Sequence, residues 1–259
     1  MALLPDAPPP RRVISADGVA IATYEWGDPD APVVVAVHGF ASSAIANWHV
    51  TGWTRELTRA GFRVVAIDQR GHGASDKPHD PHAYSMDILV ADLLGVVDTH
   101  LIDDFALLGY SLGARVGWHA ALELPERLTR AVLGGIPDGD PLTRFLVDEA
   151  RGFVAGGPRS DDRLTMTYLD MAAGMPDNDL GALVSLVEGM RGGIQPDATD
   201  PPQQPVLFAT GTDDPILEQS RGLSRATPHG SFLEIPDRNH FNAPTSKVFR
   251  VGGVEFLGG

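Results

Sequence analysis

A serine, a pair of adjacent aspartates and a histidine in this chain are the residue types that nucleophilic acyl chemistry uses. Ser111 is the centre of Gly109-Tyr110-Ser111-Leu112-Gly113, a G-x-S-x-G pattern that fits a nucleophile elbow, where a strand turns sharply into a helix and exposes the serine Oγ. A serine alcohol is a weak nucleophile at neutral pH, so it needs a base beside it and an acid to orient that base. Gly211-Thr212-Asp213-Asp214-Pro215 carries the carboxylates and Pro236-Asp237-Arg238-Asn239-His240-Phe241 the imidazole. The serine pattern alone also fits an ordinary helix cap, so the elements around it have to decide.

Those elements read as alternating strands and helices. Short, mostly continuously apolar runs at 33–37, 63–67, 105–108, 131–133, 206–209 and 232–235 predict strands buried on both faces of a largely parallel sheet. The elbow follows the third of these runs, and the Asp and His segments follow the last two. An opening hairpin is expected around Asp17-Gly18. Helices are expected over 114–122, 48–60 and 216–226, and after Ser85, where Met86, Val90, Leu93, Val97 and Leu101 mark one apolar face. Sites in such sheets form at the carboxyl ends of strands.

One stretch breaks the alternation. From Pro137 to Gln204 no strand is expected, and 142–154, 163–173 and 180–190 read as helices between Gly, Pro and Asp breaks. The predicted organisation is therefore an α/β core of residues 1–136 and 204–259 with a helical insertion at 137–203. The insertion's aromatics and methionines, Phe145, Phe153, Met166, Tyr168, Met171 and Met175 among them, fit a pocket lining or plain core.

Composition narrows the function classes. The chain has 259 residues, 34 Asp+Glu against 20 Lys+Arg, and no cysteine. A net charge of -14 disfavours nucleic acid and anionic membranes as partners. The absence of cysteine removes disulfides, thiolate catalysis and Cys-ligated metals. The start Met1-Ala2-Leu3-Leu4-Pro5-Asp6 lacks a signal-peptide pattern and no apolar run reaches membrane-spanning length, so a cytoplasmic protein is expected. His79, Asp80, His82 and Asp87 form a loose cluster better read as a solvated loop than a metal site. Nothing in the sequence sets the oligomeric state.

Taken together, four motifs make the chain resemble the α/β-hydrolase fold, specifically a serine hydrolase with a small helical cap. They are His38-Gly39-Phe40 after the first central strand, Asp68-Gln69-Arg70-Gly71-His72-Gly73 after the next, the elbow, and the terminal Asp and His. The resemblance implies Ser111 as nucleophile, His240 as general base and then acid, and Asp214 as the orienting acid, with Asp213 and Asp138 as competitors. It implies backbone N–H groups of Phe40 and Leu112 as oxyanion donors, and makes His38 and His72 scaffold residues of their loops. Phe40, Tyr110, Phe145, Met166, Tyr168 and Phe241 are the candidate pocket residues, Phe40 fitting a packed loop aromatic equally well.

Two departures from the common family form, Leu112-Gly113-Ala114 in the elbow and Asn239 before the base, remove no catalytic atom. Relatives that open epoxides or displace halide carry aspartate at the elbow, whereas this chain has serine. The implied activity is cofactor-free, metal-free hydrolysis of a small to medium carboxylic ester or lactone through an acyl-enzyme, with a small-molecule acyl compound as substrate. Carbon-carbon bond hydrolysis, perhydrolysis of the cofactor-free haloperoxidase kind, and a small-molecule receptor with slow hydrolysis are the alternatives.

Overall fold

The computed structural model describes residues 7–139 and 142–259. The Met1 to Asp6 segment and the Asp140 and Pro141 positions of the expected insertion lie outside them. Eight strands form one sheet: β1 (Arg11–Ile14), β2 (Ala20–Trp26), β3 (Val33–Val37), β4 (Arg63–Asp68), β5 (Phe105–Tyr110), β6 (Leu128–Gly134), β7 (Val206–Gly211) and β8 (Gly230–Ile235). Their order across the sheet is β1-β2-β4-β3-β5-β6-β7-β8, antiparallel through β1, β2 and β4 and parallel beyond.

The alternation of side chains along an extended strand explains how the sheet divides its core. In β3, Val35 and Val37 join Val65, Ile67, Leu107 and Leu133 on one face, where α2 (Met86–Thr99), α3 (Leu112–Glu123) and α7 (Leu217–Ala226) pack. Val34 and Ala36 join Val64, Ala66 and Leu108 on the other, beneath α1 (Trp53–Arg59) and α8 (Lys247–Gly258). The five side chains of β3 thus serve both layers, and the β-branched shape of its four valines suits that surface. β8 differs from the expectation of double-sided burial: it is the edge strand and most of its residues are partly or fully exposed.

Three further differences have local causes. The helix expected over 48–60 is divided at Gly52, whose φ of +84° ends a π-helical turn (Ile45–His49) before α1 begins. Leu101 does not continue the apolar face of α2 but is 88% exposed at φ +54°. There the N–H of Leu101 bonds Asp98 O at 3.1 Å and that of Ile102 bonds Val97 O at 2.9 Å, a Schellman ending that turns Leu101 outward and buries Ile102 instead. The terminal α8, capped by Ser246, was not expected from a segment so rich in glycine. Its Gly253 lies where a Cβ would stand 2.7 Å from Trp53 Cη2, so the glycine allows α8 to seat on α1.

Between β6 and β7 the chain forms α4 (Val147–Val154), α5 (Arg163–Ala173) and α6 (Leu180–Gly189). The first starts five residues later than expected, because the Leu146 N–H bonds Thr165 Oγ1 at 2.9 Å and so fixes a non-helical entry. Asp162 and Asp179 cap α5 and α6 through the amides of Thr165 and Ala182. These helices share a small core of their own, in which Phe145, Val147, Ala150, Met166, Leu169, Val184 and Val187 meet. On the other side of α6, Leu186 and Met190 join the sheet core. No helix among the described residues is long and apolar enough to cross a membrane.

Candidate active site

The elbow is specified by backbone space. A Cβ on Gly113 would lie 2.0 Å from Val37 O, and one on Gly109 would lie 2.4 Å from Gly113 O, so only glycines let α3 cross β3 and β5 this closely. Between them Ser111 is held at φ +53°, ψ -112°, with its N–H donating to Gly134 O at 2.8 Å. This is a sparsely populated conformation for a residue with a Cβ, of the kind that persists where the surroundings over-determine it. It stands Ser111 at the carboxyl end of β5, half-buried at a cavity.

A hydrogen-bonded line runs from this serine. Ser111 Oγ lies 2.9 Å from His240 Nε2, and His240 Nδ1 lies 2.8 Å from Asp214 Oδ2. Asp214 is 4% exposed, and its other oxygen accepts the Ile216 N–H at 3.2 Å, so the carboxylate is fixed at both ends. Asp213 is exposed, and so is Asp138; the structure brings neither to His240. The loops carrying Asp214 and His240 are tied together, since Asp213 N donates to Arg238 O at 2.9 Å and Thr212 N to Ile235 O at 3.0 Å. Asn239 closes its own turn by accepting the Phe241 and Asn242 N–H groups.

Tyr110 holds the imidazole from below: its hydroxyl donates to His240 O at 2.7 Å, and burial with the nearby Asp214 charge pushes its own ionisation well up. Gly135, at φ +58°, passes behind, where a Cβ would meet Tyr110 Cζ at 2.9 Å and His240 Cε1 at 3.2 Å. Neither role was legible in the sequence, because both depend on a loop 100 residues or more away in the chain meeting β5 and β6 in space.

Above Ser111, the N–H groups of Phe40 and Leu112 donate to no protein acceptor among the described residues, although buried amides are normally paired. The loop that presents Phe40 is stapled by two neutral histidines. His72 Nε2 accepts the Ala41 N–H at 3.0 Å while its Nδ1 faces Arg70 O at 3.1 Å. His38 Nε2 accepts the Gln69 N–H at 3.1 Å while its Nδ1 faces Gly39 O at 2.7 Å. Both rings therefore carry their proton on Nδ1. Burial holds His38 below its ordinary value and His72 well below it. Asp68 accepts the amides of Ala44 and Ala74 at 2.7 and 2.8 Å, which completes the support from the neighbouring turn.

The cavity over this line measures about 1070 Å³. Phe40, Tyr110, Leu112, Tyr168 and Phe241 line it, together with Leu142, Met171 and Met175. Tyr168 sits edge-on to both Phe40 and Phe241, with ring centroids 5.8 and 6.0 Å away. Phe145 and Met166 do not line the cavity: they are 1% and 7% exposed inside the core of the insertion. Their helical neighbours explain the difference, since Tyr168 and Met171 follow Met166 on α5 by about half a turn and more, which turns them to the opposite side. Among the described residues no group of three His, Asp or Glu side chains is placed to hold a metal ion; His79 instead pairs with Asp179 at 3.0 Å.

Residues 32–164 match the pattern of the alpha/beta hydrolase fold family. Epoxide hydrolase A of Mycobacterium tuberculosis is 30% identical over 254 residues, covering 96% of this chain and 73% of that protein. The non-heme chloroperoxidase of Streptomyces lividans is 30% identical over 277 residues, covering 87% of this chain and 95% of that one. The enol-lactonase of Burkholderia xenovorans LB400 superposes with a TM-score of 0.76 at 24% identity over 95% of this chain and 99% of that one, a likeness of fold.

Proposed function

Because the chain belongs to the alpha/beta hydrolase fold family, we propose that it is a serine hydrolase that cleaves a small to medium carboxylic ester or lactone through an acyl-enzyme. The observation that carries this reading is the unbroken line from Ser111 Oγ through His240 to a buried Asp214. Ser111 Oγ attacks the carbonyl as its proton passes to His240 Nε2, and Asp214 stabilises the imidazolium through Nδ1–H. The oxygen that gains charge is received by the Phe40 and Leu112 N–H groups, which are already in place and so need no reorganisation. Collapse of the intermediate expels the alcohol, which takes the proton from His240. Water then attacks the acyl-serine by the same route and releases the acid.

The elbow serine separates this reaction from epoxide opening, the activity in the name of the mycobacterial relative. A carboxylate that opens an epoxide forms an ester, which water can cleave. A serine alkoxide would form an ether with no carbonyl to attack, and turnover would stop after one event. The likeness to the Streptomyces chloroperoxidase over most of both chains favours a second reading on the same machinery, in which hydrogen peroxide replaces water at the acyl-serine and the product is a peracid.

Hydrolysis of p-nitrophenyl esters from acetate to laurate by wild type and Ser111→Ala tests the proposal. The substitution is expected to remove about 10⁴-fold or more of kcat without loss of fold by circular dichroism. Full esterase activity in Ser111→Ala would refute it. Ser111-dependent peracid formation from acetate and peroxide, faster than ester hydrolysis, would favour the second reading.

A further inference from the structure

We infer that the mouth of the cavity, through Arg144 and Arg163, selects substrates whose acyl chain ends in a carboxylate; this rests on the acyl-transfer reading above and specifies its substrate class. Both arginines line the cavity and are exposed. Most of the cavity-distant arginines are spoken for by carboxylates, as with Arg63 and Glu25, Arg70 and Asp92, Arg127 and Asp98, or Arg221 and Glu234. The guanidinium groups of Arg144 and Arg163 form no hydrogen bond or ion pair among the described residues. In a molecule of net charge -14, acidic groups are in ample supply, and two cations left over at one opening are a local reversal of the field.

Of the other charges at the cavity, Asp162 caps α5 through the Thr165 N–H at 2.7 Å and keeps its negative charge near Arg144, which offsets part of one arginine and leaves the two arginines in excess. Asp214 is committed to His240, and Arg115 is engaged by protein partners, Gln195 at 2.7 Å among them. The cavity that both arginines and Ser111 line also carries the apolar side chains of Leu142, Met171, Met175 and Val187. A chain with a carbonyl at Ser111, methylenes along these walls and an anion at the mouth would meet each wall with matching chemistry.

The test compares monoethyl adipate with ethyl adipamate, its neutral isostere, in wild type, Ser111→Ala, Arg163→Gln and Arg144→Gln/Arg163→Gln. In wild type the charged ester is expected to have a kcat/KM about tenfold higher at low salt, mainly through KM, with the preference shrinking toward unity at about 0.5 M salt. Each Arg→Gln change is expected to narrow the ratio about threefold, and Arg163→Lys to restore part of it by keeping the charge. A ratio near unity in wild type, or a preference that survives the double substitution, overturns the inference. Calorimetric binding of monoethyl adipate to Ser111→Ala needs no turnover and separates the two claims. Arginine-dependent binding without hydrolysis by wild type upholds the anion site and sinks the esterase reading. Ser111-dependent hydrolysis of both esters without charge preference does the reverse.

Discussion

Asp213 and Asp214 are chain neighbours with opposite surroundings, the first in water and the second buried against His240. Asp214→Asn is therefore expected to lower kcat by about 10⁴-fold, because an amide can hold the imidazole in the wrong tautomer and cannot stabilise its charge. Asp213→Asn is expected to stay within about twofold, as surface changes away from a site do. Steady-state kinetics on one ester decides; equal losses would mean that the acid is shared. Residue types and chain order made the meeting of Ser111, His240 and one of the paired aspartates legible. Which insertion residues face the cavity was not legible: Phe145, Met166 and Tyr168 are all apolar at helical spacing, and only the rotation of α5 and the packing of α4 against α6 decide which of them meets solvent.

At the scale of elements, glycine marks where chain meets chain. Gly113→Ala would drive a methyl into Val37 O and is expected to cost about 3 kcal/mol or more, as forced overpacking against backbone does. Gly95 is a useful contrast, lying within α2 with nothing within 4 Å of its would-be Cβ. Gly95→Ala is expected to gain about 0.5–1 kcal/mol through helix propensity and a less free unfolded chain. Urea unfolding of the two variants should move in opposite directions, and parallel shifts would refute the close-approach argument. The central strands were readable because two-sided burial leaves a run of apolar residues, whereas β8 carries a similar run at the sheet edge without that burial. The α8 helix was hidden because its glycines, which oppose helix locally, are required by the neighbour it packs on, and such a requirement has no local signal.

For the whole molecule, acid is the expected weakness. His38, His72 and His119 are all buried and held below the ordinary value of 6.5, His119 at about 4 by burial and then by Arg115. The unfolded chain takes up these protons first as the pH falls, so the stability they contribute is whole above about 6.5 and drains away below it until the folded values are reached. Between pH 7.5 and 5.5 His119 is expected to remove on the order of 1 kcal/mol of unfolding free energy, and His38 and His72 act in the same direction. Carboxylates held low by ion pairs, such as Asp17, matter only at more acidic pH. Urea unfolding monitored by tryptophan fluorescence at the two pH values checks this, and a loss below about 1 kcal/mol would show that the histidines protonate without leaving their loops.

The core shared by α4, α5 and one side of α6 has a consequence for how this protein can change over time. Substitutions at Phe145, Met166 or Leu169 reshape the roof of the cavity from a cluster separate from the sheet layers, and energetic effects in separate clusters tend to add. Substrate range can therefore drift by trial and error in the roof while the chemistry beneath is conserved, with α6, rooted in both clusters, as the part least free to vary.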